Sequence, residues 1–131
     1  MIVVLDTNVW ISALQFSRQD GTVYRAVERA IRIDTIAICA EIEEEIESIL
    51  RERFSWTSSR IAALLPAMLG NALWIKIRGT VKICRDPKDD MILECAERAD
   101  AEVIVSGDKD LLTLGAYRLT KIVTPAEYLK M

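Results

Sequence analysis

The sequence predicts an α/β fold with a parallel sheet covered by helices on both faces. Three observations predict it. Short apolar runs of strand length recur along the chain: "IVVL", "TIAIC", "EVIV" and "KIV". Stretches with apolar residues at helical spacing separate them. Such alternation of strand and helix builds parallel sheets buried on both faces. The 131 residues also lack repeats, low-complexity segments and linkers, so residues 1–131 are expected to form a single domain with a sizeable core.

The elements follow in order. Ile2–Leu5 reads as a buried strand, and Asn8–Leu14 resumes apolar residues at helix-compatible spacing. Gly21–Arg32 is a second helix, with Val23, Ala26, Val27, Ala30 and Ile31 on one face. Thr35–Cys39 is a short strand. Glu41–Arg53 is a helix with the stripe Ile42, Ile46, Ile49 and Leu50. Thr57–Ala72 is another, capped by Thr57 or Ser58, and Pro66 is expected to bend or split it. "ALWIKIRGTVKIC" holds one or two extended pieces around Gly79. "DPKDDMILECAERA" starts as a turn and becomes a helix. "AEVIVSGDKDLLTLG" is a strand, a turn and a short helix, and "KIVTPAEYL" is a strand followed by a Pro-initiated helical turn.

Composition narrows the chemistry. The net charge is -3, with 51% hydrophobic and 28% charged residues. That balance gives no general attraction to nucleic acid or anionic membranes, so a polyanionic partner requires local basic patches or metal cations. Cys39, Cys84 and Cys95 are odd in number and lack CxxC spacing, which argues against a zinc site or a disulfide framework and for reduced thiols in a cytoplasmic setting. Neither a signal peptide nor a membrane span is expected. There is no histidine. Ser-His and Cys-His mechanisms and His zinc ligands are therefore excluded. For a hydrolase, water activated by a metal among carboxylates is the simplest remaining chemistry.

Acidic residues fall where such chemistry needs them. In parallel sheets, ligands bind at the carboxyl ends of strands, near the point where strand order reverses. Asp6 ends the first strand and Asp108 follows "EVIV". Asp86, Asp89 and Asp90 begin the helix before that strand, and Glu41 to Glu47 begin the helix after the second strand. Each acid taken singly also reads as a helix cap or a solvated charge. Glu44 and Glu47 lie opposite the apolar stripe. Glu45 flanks it, and Glu41 and Glu43 also border it, so periodicity leaves those three open. Together, like charges at a buried edge repel and are costly to desolvate, which a divalent cation relieves. Oxygen-only ligands suit Mg²⁺ or Mn²⁺.

"VVLDTNVWISAL", "EIEEEIESIL", "CRDPKDDMILECA" and "VIVSGDKDLLTLG", in this order, resemble the PIN domain family, and most closely its toxin–antitoxin branch related to VapC toxins. The resemblance covers nearly the whole chain. It implies a three-layer α/β/α sandwich with a central parallel sheet, an acidic site binding Mg²⁺ or Mn²⁺, and cleavage of RNA phosphodiesters. Asp6, Glu45, Asp90 and Asp108 match the four family acids that serve as catalytic metal ligands. Asn8 matches the amide that supports the first aspartate, and Ser106 stands where the family more often has Thr. Asp86, Asp89 and Asp110 match secondary acids. A slip of one residue makes Glu44 the alternative to Glu45, and adjacent Asp89 and Asp90 can exchange roles.

The leading expectation is a metal-dependent endoribonuclease, the toxin of a toxin–antitoxin pair, with an RNA substrate, a cognate antitoxin and a homodimeric state. The alternative is a non-catalytic PIN-like module that binds RNA or a protein. A phosphotransfer receiver fits less well, because Lys121 begins the last strand instead of following it. For RNA contact the cations are Arg51, Arg53, Arg60, Lys76, Arg78, Lys82, Arg85, Lys88 and Lys109. Arg85 and Lys88, which bracket the acidic turn, are the foremost. Trp56 and Trp74 are either base-stacking or packing residues.

Overall fold

The computed structural model describes residues 1–16 and 21–131. Among them lies a six-stranded sheet in the order β3-β2-β1-β4-β6-β5. The strands are β1 (Ile2–Leu5), β2 (Thr35–Ile38), β3 (Leu73–Trp74), β4 (Val103–Val105), β5 (Ala116–Tyr117) and β6 (Thr120–Val123). Pairing is parallel from β3 through to β6, and only β5 runs antiparallel, beside β6. Flanking the sheet are α1 (Thr7–Ile11), α2 (Thr22–Arg32), α3 (Ala40–Phe54), α4 (Ser58–Met68), α5 (Pro87–Ala99), α6 (Lys109–Leu114) and α7 (Pro125–Leu129). This is the α/β architecture that the strand–helix alternation predicts.

The two central strands show why both faces must be covered. Val3, Val4 and Leu5 in β1 are buried in succession, as are Val103, Ile104 and Val105 in β4. Side chains alternate across a strand, so consecutive burial requires helices on each side. Register is direct, with Val3 opposite Val103 and Leu5 opposite Val105. From β1 the chain steps outward to β2 and β3, then returns to β4 on the other side of β1. Strand order thus reverses between β1 and β4, and their carboxyl ends flank the crevice where such sheets take ligands.

Several elements depart from expectation for identifiable reasons. After α1 the helix widens into a π-helical turn, Ser12–Phe16. Pro66 does not split α4, and the helix ends at Met68 instead of Ala72. Pro66 and Ala62, the residue whose carbonyl loses its donor, are both exposed, where water can satisfy the orphan group. Thr57 caps this helix by accepting the Arg60 N–H. The stretch after β3 forms no further strand. Four of its backbone N–H groups, those of Arg78, Thr80, Ile83 and Cys84, are taken up by side chains of α5 instead of a neighbouring strand. Strand β5 is a two-residue arm of a tight hairpin, with Arg118 in the left-handed region at φ 54°.

The two ends of the chain are tied together at the amino edge of the sheet. Asp34, just before β2, accepts from the Met1 ammonium at 3.0 Å and from the Tyr128 hydroxyl, with Arg29 Nε at 3.4 Å. Burial alone would raise the pKa of Asp34. The Tyr128 hydroxyl, the ammonium and Arg29 outweigh it and hold the carboxyl below its usual range.

Candidate active site

Asp6 is the first residue past β1. Its N–H donates to the Val105 carbonyl at 3.0 Å, so β1 and β4 stay paired up to the point where they deliver side chains. Asp6 is 5% exposed. The fully buried Ser106 hydroxyl donates to its carboxylate at 2.8 Å, and the same oxygen accepts the Asp108 N–H at 3.0 Å. One hydroxyl therefore sets the position of two acids. Burial pushes the Asp6 pKa up. The Ser106 bond opposes that rise, and the charges of Asp108 and Glu45 add to it.

Glu45 reaches the same place from α3. Its carboxylate accepts from the Thr7 hydroxyl at 3.2 Å and lies 3.6 Å from the Lys88 ammonium. Glu44 is exposed, as helical period requires of a residue opposite the Ile42/Ile46 stripe. Glu41 is also exposed. Glu43 is partly buried among Glu47 and Glu44: burial, then those two charges, raises its pKa. Of the three acids that periodicity leaves open, Glu45 is the one whose carboxylate meets the turn after β1.

Asp108 caps α6 by accepting the Leu111 N–H at 3.3 Å. Facing it is Asp89, from the first turn of α5. Carboxylate oxygens of Asp89, Asp108 and Asp110 all lie within 4.8 Å of one another. Burial pushes the Asp89 pKa up to about 7, helped by the charges of Asp108, Asp6 and Asp86 and by its hydrogen bond to Asp108. Asp89 is therefore partly protonated near neutral pH. Asp110 sits at the exposed rim, 3.0 Å from the Arg85 guanidinium.

Asp90, expected among the ligands, is placed differently. It is buried, and its Oδ1 accepts the N–H groups of Ile83 at 3.0 Å and Cys84 at 2.8 Å. Successive residues on a helix point about 100° apart. Asp89 faces the strand ends, and Asp90 faces the loop before α5. Two other expected supports also stand apart. Asn8 is exposed and makes no side-chain hydrogen bond to Asp6 among the described residues; Ser106 holds that carboxylate instead. Asp86 is exposed and serves as the N-cap of α5, accepting the Lys88 N–H at 3.0 Å.

Two residues were missed from sequence. Nothing in the sequence marks Thr7 apart from its place after Asp6, yet its hydroxyl orients Glu45. Glu94, 2% exposed on α5, accepts from the N–H groups of Arg78 and Thr80 and from Arg98 Nε. Burial would raise its pKa, but the Arg78 N–H, the Arg98 guanidinium and the Thr80 N–H hold it below the usual range. An acid inside the buried run Ile92–Ala96 was the available signal.

The converging donors are all carboxylate and hydroxyl oxygens. Cys84, the nearby thiol, has its pKa pushed up to about 12, by burial first and then by its bond to Asp90, so it remains protonated and offers no thiolate. Asp6 and Asp89 both have raised proton affinity, from burial first and then from the negative charges gathered around them. This donor set fits a hard divalent cation.

Comparison with known proteins agrees with the fold. A family model described as PIN domain matches residues 2–110. An uncharacterized protein of Methanocaldococcus jannaschii is 30% identical over 115 residues, covering 86% of this chain and 74% of that one. Two solved structures share the fold. One is VapBC2 from Rickettsia felis bound to a DNA fragment from their promoter, with a TM-score of 0.56 at 17% identity, covering 93% of this chain and 97% of that chain. The other is FitAcB from Neisseria gonorrhoeae, with a TM-score of 0.61 at 14% identity, covering 94% and 97%.

Proposed function

The chain belongs to the PIN domain family, and from that premise we propose that residues 1–131 form one nuclease domain, a Mg²⁺- or Mn²⁺-dependent endoribonuclease. The observation that carries the reading is the convergence of Asp6, Glu45, Asp89 and Asp108 at the strand-order reversal, where among the described residues only Glu45 has a cation within ion-pair distance, Lys88 at 3.6 Å. These four would hold the cation, with Asp110 at the rim. Asp89 would take the ligand role that the resemblance gives to Asp90. A divalent cation bound there supplies charge neutralisation for a phosphoryl oxygen and lowers the pKa of a water.

The chain's own residues have definite tasks in this reaction. Ser106 and Thr7 fix the orientation of Asp6 and Glu45. Asp89 gives up its proton when the site is loaded, since its raised pKa comes from burial and from neighbouring charge that a cation offsets. Arg85 and Lys88 stand at the mouth of the site as phosphate contacts.

The resemblance to VapC toxins, together with the fold shared with VapBC2 and FitAcB, supports a toxin role in the cytoplasm with a cognate antitoxin. No helix among the described residues is long and apolar enough to cross a membrane. A homodimer is also proposed: α4 buries Ile61 and Leu65 and still leaves Leu64 exposed and Met68 half-buried. Sedimentation at micromolar concentration tests it, and a monomer counts against it.

The deciding experiment is cleavage of single-stranded RNA with Mg²⁺ or Mn²⁺ and with excess chelator. Cleavage that requires the cation supports the reading. Undiminished cleavage in chelator, by protein freed of contaminating nucleases, removes the metal mechanism. Binding without cleavage under every metal condition favours the non-catalytic module.

A further inference from the structure

The stretch between β3 and α5 has no regular secondary structure, yet it is neither loose nor neutral. Residues 75–85 carry Lys76, Arg78, Lys82 and Arg85 and no acid, in a chain of net charge -3. Lys76, Arg78 and Lys82 are exposed and form no ion pair among the described residues. Both ends of this strap lie at the carboxyl edge of the sheet. β3 runs parallel to β2 and ends there, and α5, which feeds the parallel strand β4, starts there.

The strap's backbone is pinned by two buried acids one helical turn apart on α5. Glu94 accepts from Arg78 N–H at 2.6 Å and Thr80 N–H at 2.9 Å. Asp90 accepts from Ile83 and Cys84. The Arg98 guanidinium, 2.8 Å from Glu94, neutralises that carboxylate from below. Between strap and helix lies an open groove of about 480 Å³, lined by Gly79, Val81, Lys82, Lys88 and Met91 among others. Trp74, 48% exposed, opens the strap, and Ile83, 58% exposed, stands near its far end. There Arg85 meets Asp110 at 3.0 Å, at the rim of the acid cluster.

We infer that this strap is a phosphate rail for single-stranded RNA, running from Trp74 through Arg78 and Lys82 to the acid cluster. The inference rests on the endoribonuclease reading and names its substrate path. An acidic centre in an acidic chain repels a polyanion, so approach depends on local cations. Here those cations project from a backbone already fixed, which lowers the ordering cost of binding. The exposed indole at the start of the rail favours a strand with unpaired bases, because stacking on an aromatic face is open only to bases free of a duplex. An acidic peptide has no use for that face.

The test compares Arg78→Gln/Lys82→Gln with the charge-matched pair Arg32→Gln/Lys121→Gln, whose residues are exposed at the opposite, amino edge. Binding of a fluorescent single-stranded RNA is followed by anisotropy in chelator across a salt series. The rail predicts a roughly tenfold weakening for the first pair, with the salt slope falling by about 1.4, the contribution of two phosphates on a single strand. It predicts little change for the control pair. Equal affinity in both pairs, or equal loss in both, overturns the rail. So does polyglutamate that competes more strongly than unlabelled RNA, which would assign the strap to an acidic protein. Cleavage by the wild type is measured in parallel. Strap-dependent binding with no cleavage under any metal condition overturns the nuclease reading and leaves the rail standing.

Discussion

The Ser106 hydroxyl donates to the Asp6 carboxylate at 2.8 Å, joining the ends of two neighbouring strands whose residues are 100 positions apart in the chain. It also receives the Asp108 N–H. Ser106→Ala removes both bonds at a fully buried position. The expected cost is about 1–3 kcal/mol of stability, the range for stranding buried polar groups. Without its donor, Asp6 should also hold its proton more tightly and bind Mn²⁺ more weakly at neutral pH. Denaturant unfolding and Mn²⁺ titration check the two effects separately.

Asp6→Asn should keep the fold and lose cleavage by about a hundredfold or more, the equivalent of a few kcal/mol of charge stabilisation. The metal-free protein should become slightly more stable, because a buried like charge is removed. Wild-type turnover in this variant would show that Asp6 is no ligand.

Adjacent Asp89 and Asp90 should separate cleanly. Asp89→Asn should weaken metal binding and leave the fold intact. Asp90→Ala strands the N–H groups of Ile83 and Cys84 and should cost roughly 2–4 kcal/mol. Melting curves and metal titrations on both variants read the difference. A stable Asp90→Ala protein with no metal affinity would reverse the assignment.

Glu45→Gln should abolish metal-dependent cleavage, and Glu44→Gln should leave it nearly intact. Glu44 is exposed, whereas Glu45 contacts Thr7. RNA cleavage by the two folded variants decides the register of α3. If Glu44→Gln is the inactive one, the register is wrong by a residue.

Asp89 makes the metal-free protein sensitive to pH. Its folded pKa, about 7, is raised above the unfolded value near 4, so the bound proton favours the fold. That contribution is fully present below about pH 4 and is lost as pH rises through about 7. Unfolding midpoints in chelator should therefore fall over this interval, and Asp89→Asn should flatten the profile. A midpoint that climbs from pH 5 to 8 in the wild type and is unaltered by the variant would contradict it.

Much of this was legible in the chain for physical reasons. Apolar runs and helical stripes report burial directly, which is why β1, β2, β4, β6 and the cores of α2, α3 and α5 fall where periodicity puts them. Asp6 and Asp108 could be placed at the sheet edge because each closely follows an apolar strand. Which of Asp89 and Asp90 faces the strand ends was not legible. Both open the same helix, and what separates them is the position of a loop that only tertiary packing fixes. The same loop hid the role of Glu94, since a lone acid in an apolar run does not announce which N–H groups it receives. β5 is too short, at two residues, for any period to register.

The pinned strap has a consequence for hydrogen exchange. Amides in irregular surface segments ordinarily trade their hydrogens with solvent through local fluctuations of small cost. The amides of Arg78, Thr80, Ile83 and Cys84 are held by carboxylates rooted in α5. Releasing them means moving a buried Asp90 or Glu94. Their deuterium uptake should therefore follow the slow class of the α5 backbone, while Gly79 and Lys82, whose amides no carboxylate holds, exchange quickly between them. A segment without regular structure would then show protection at alternating positions, set by the side chains of the neighbouring helix.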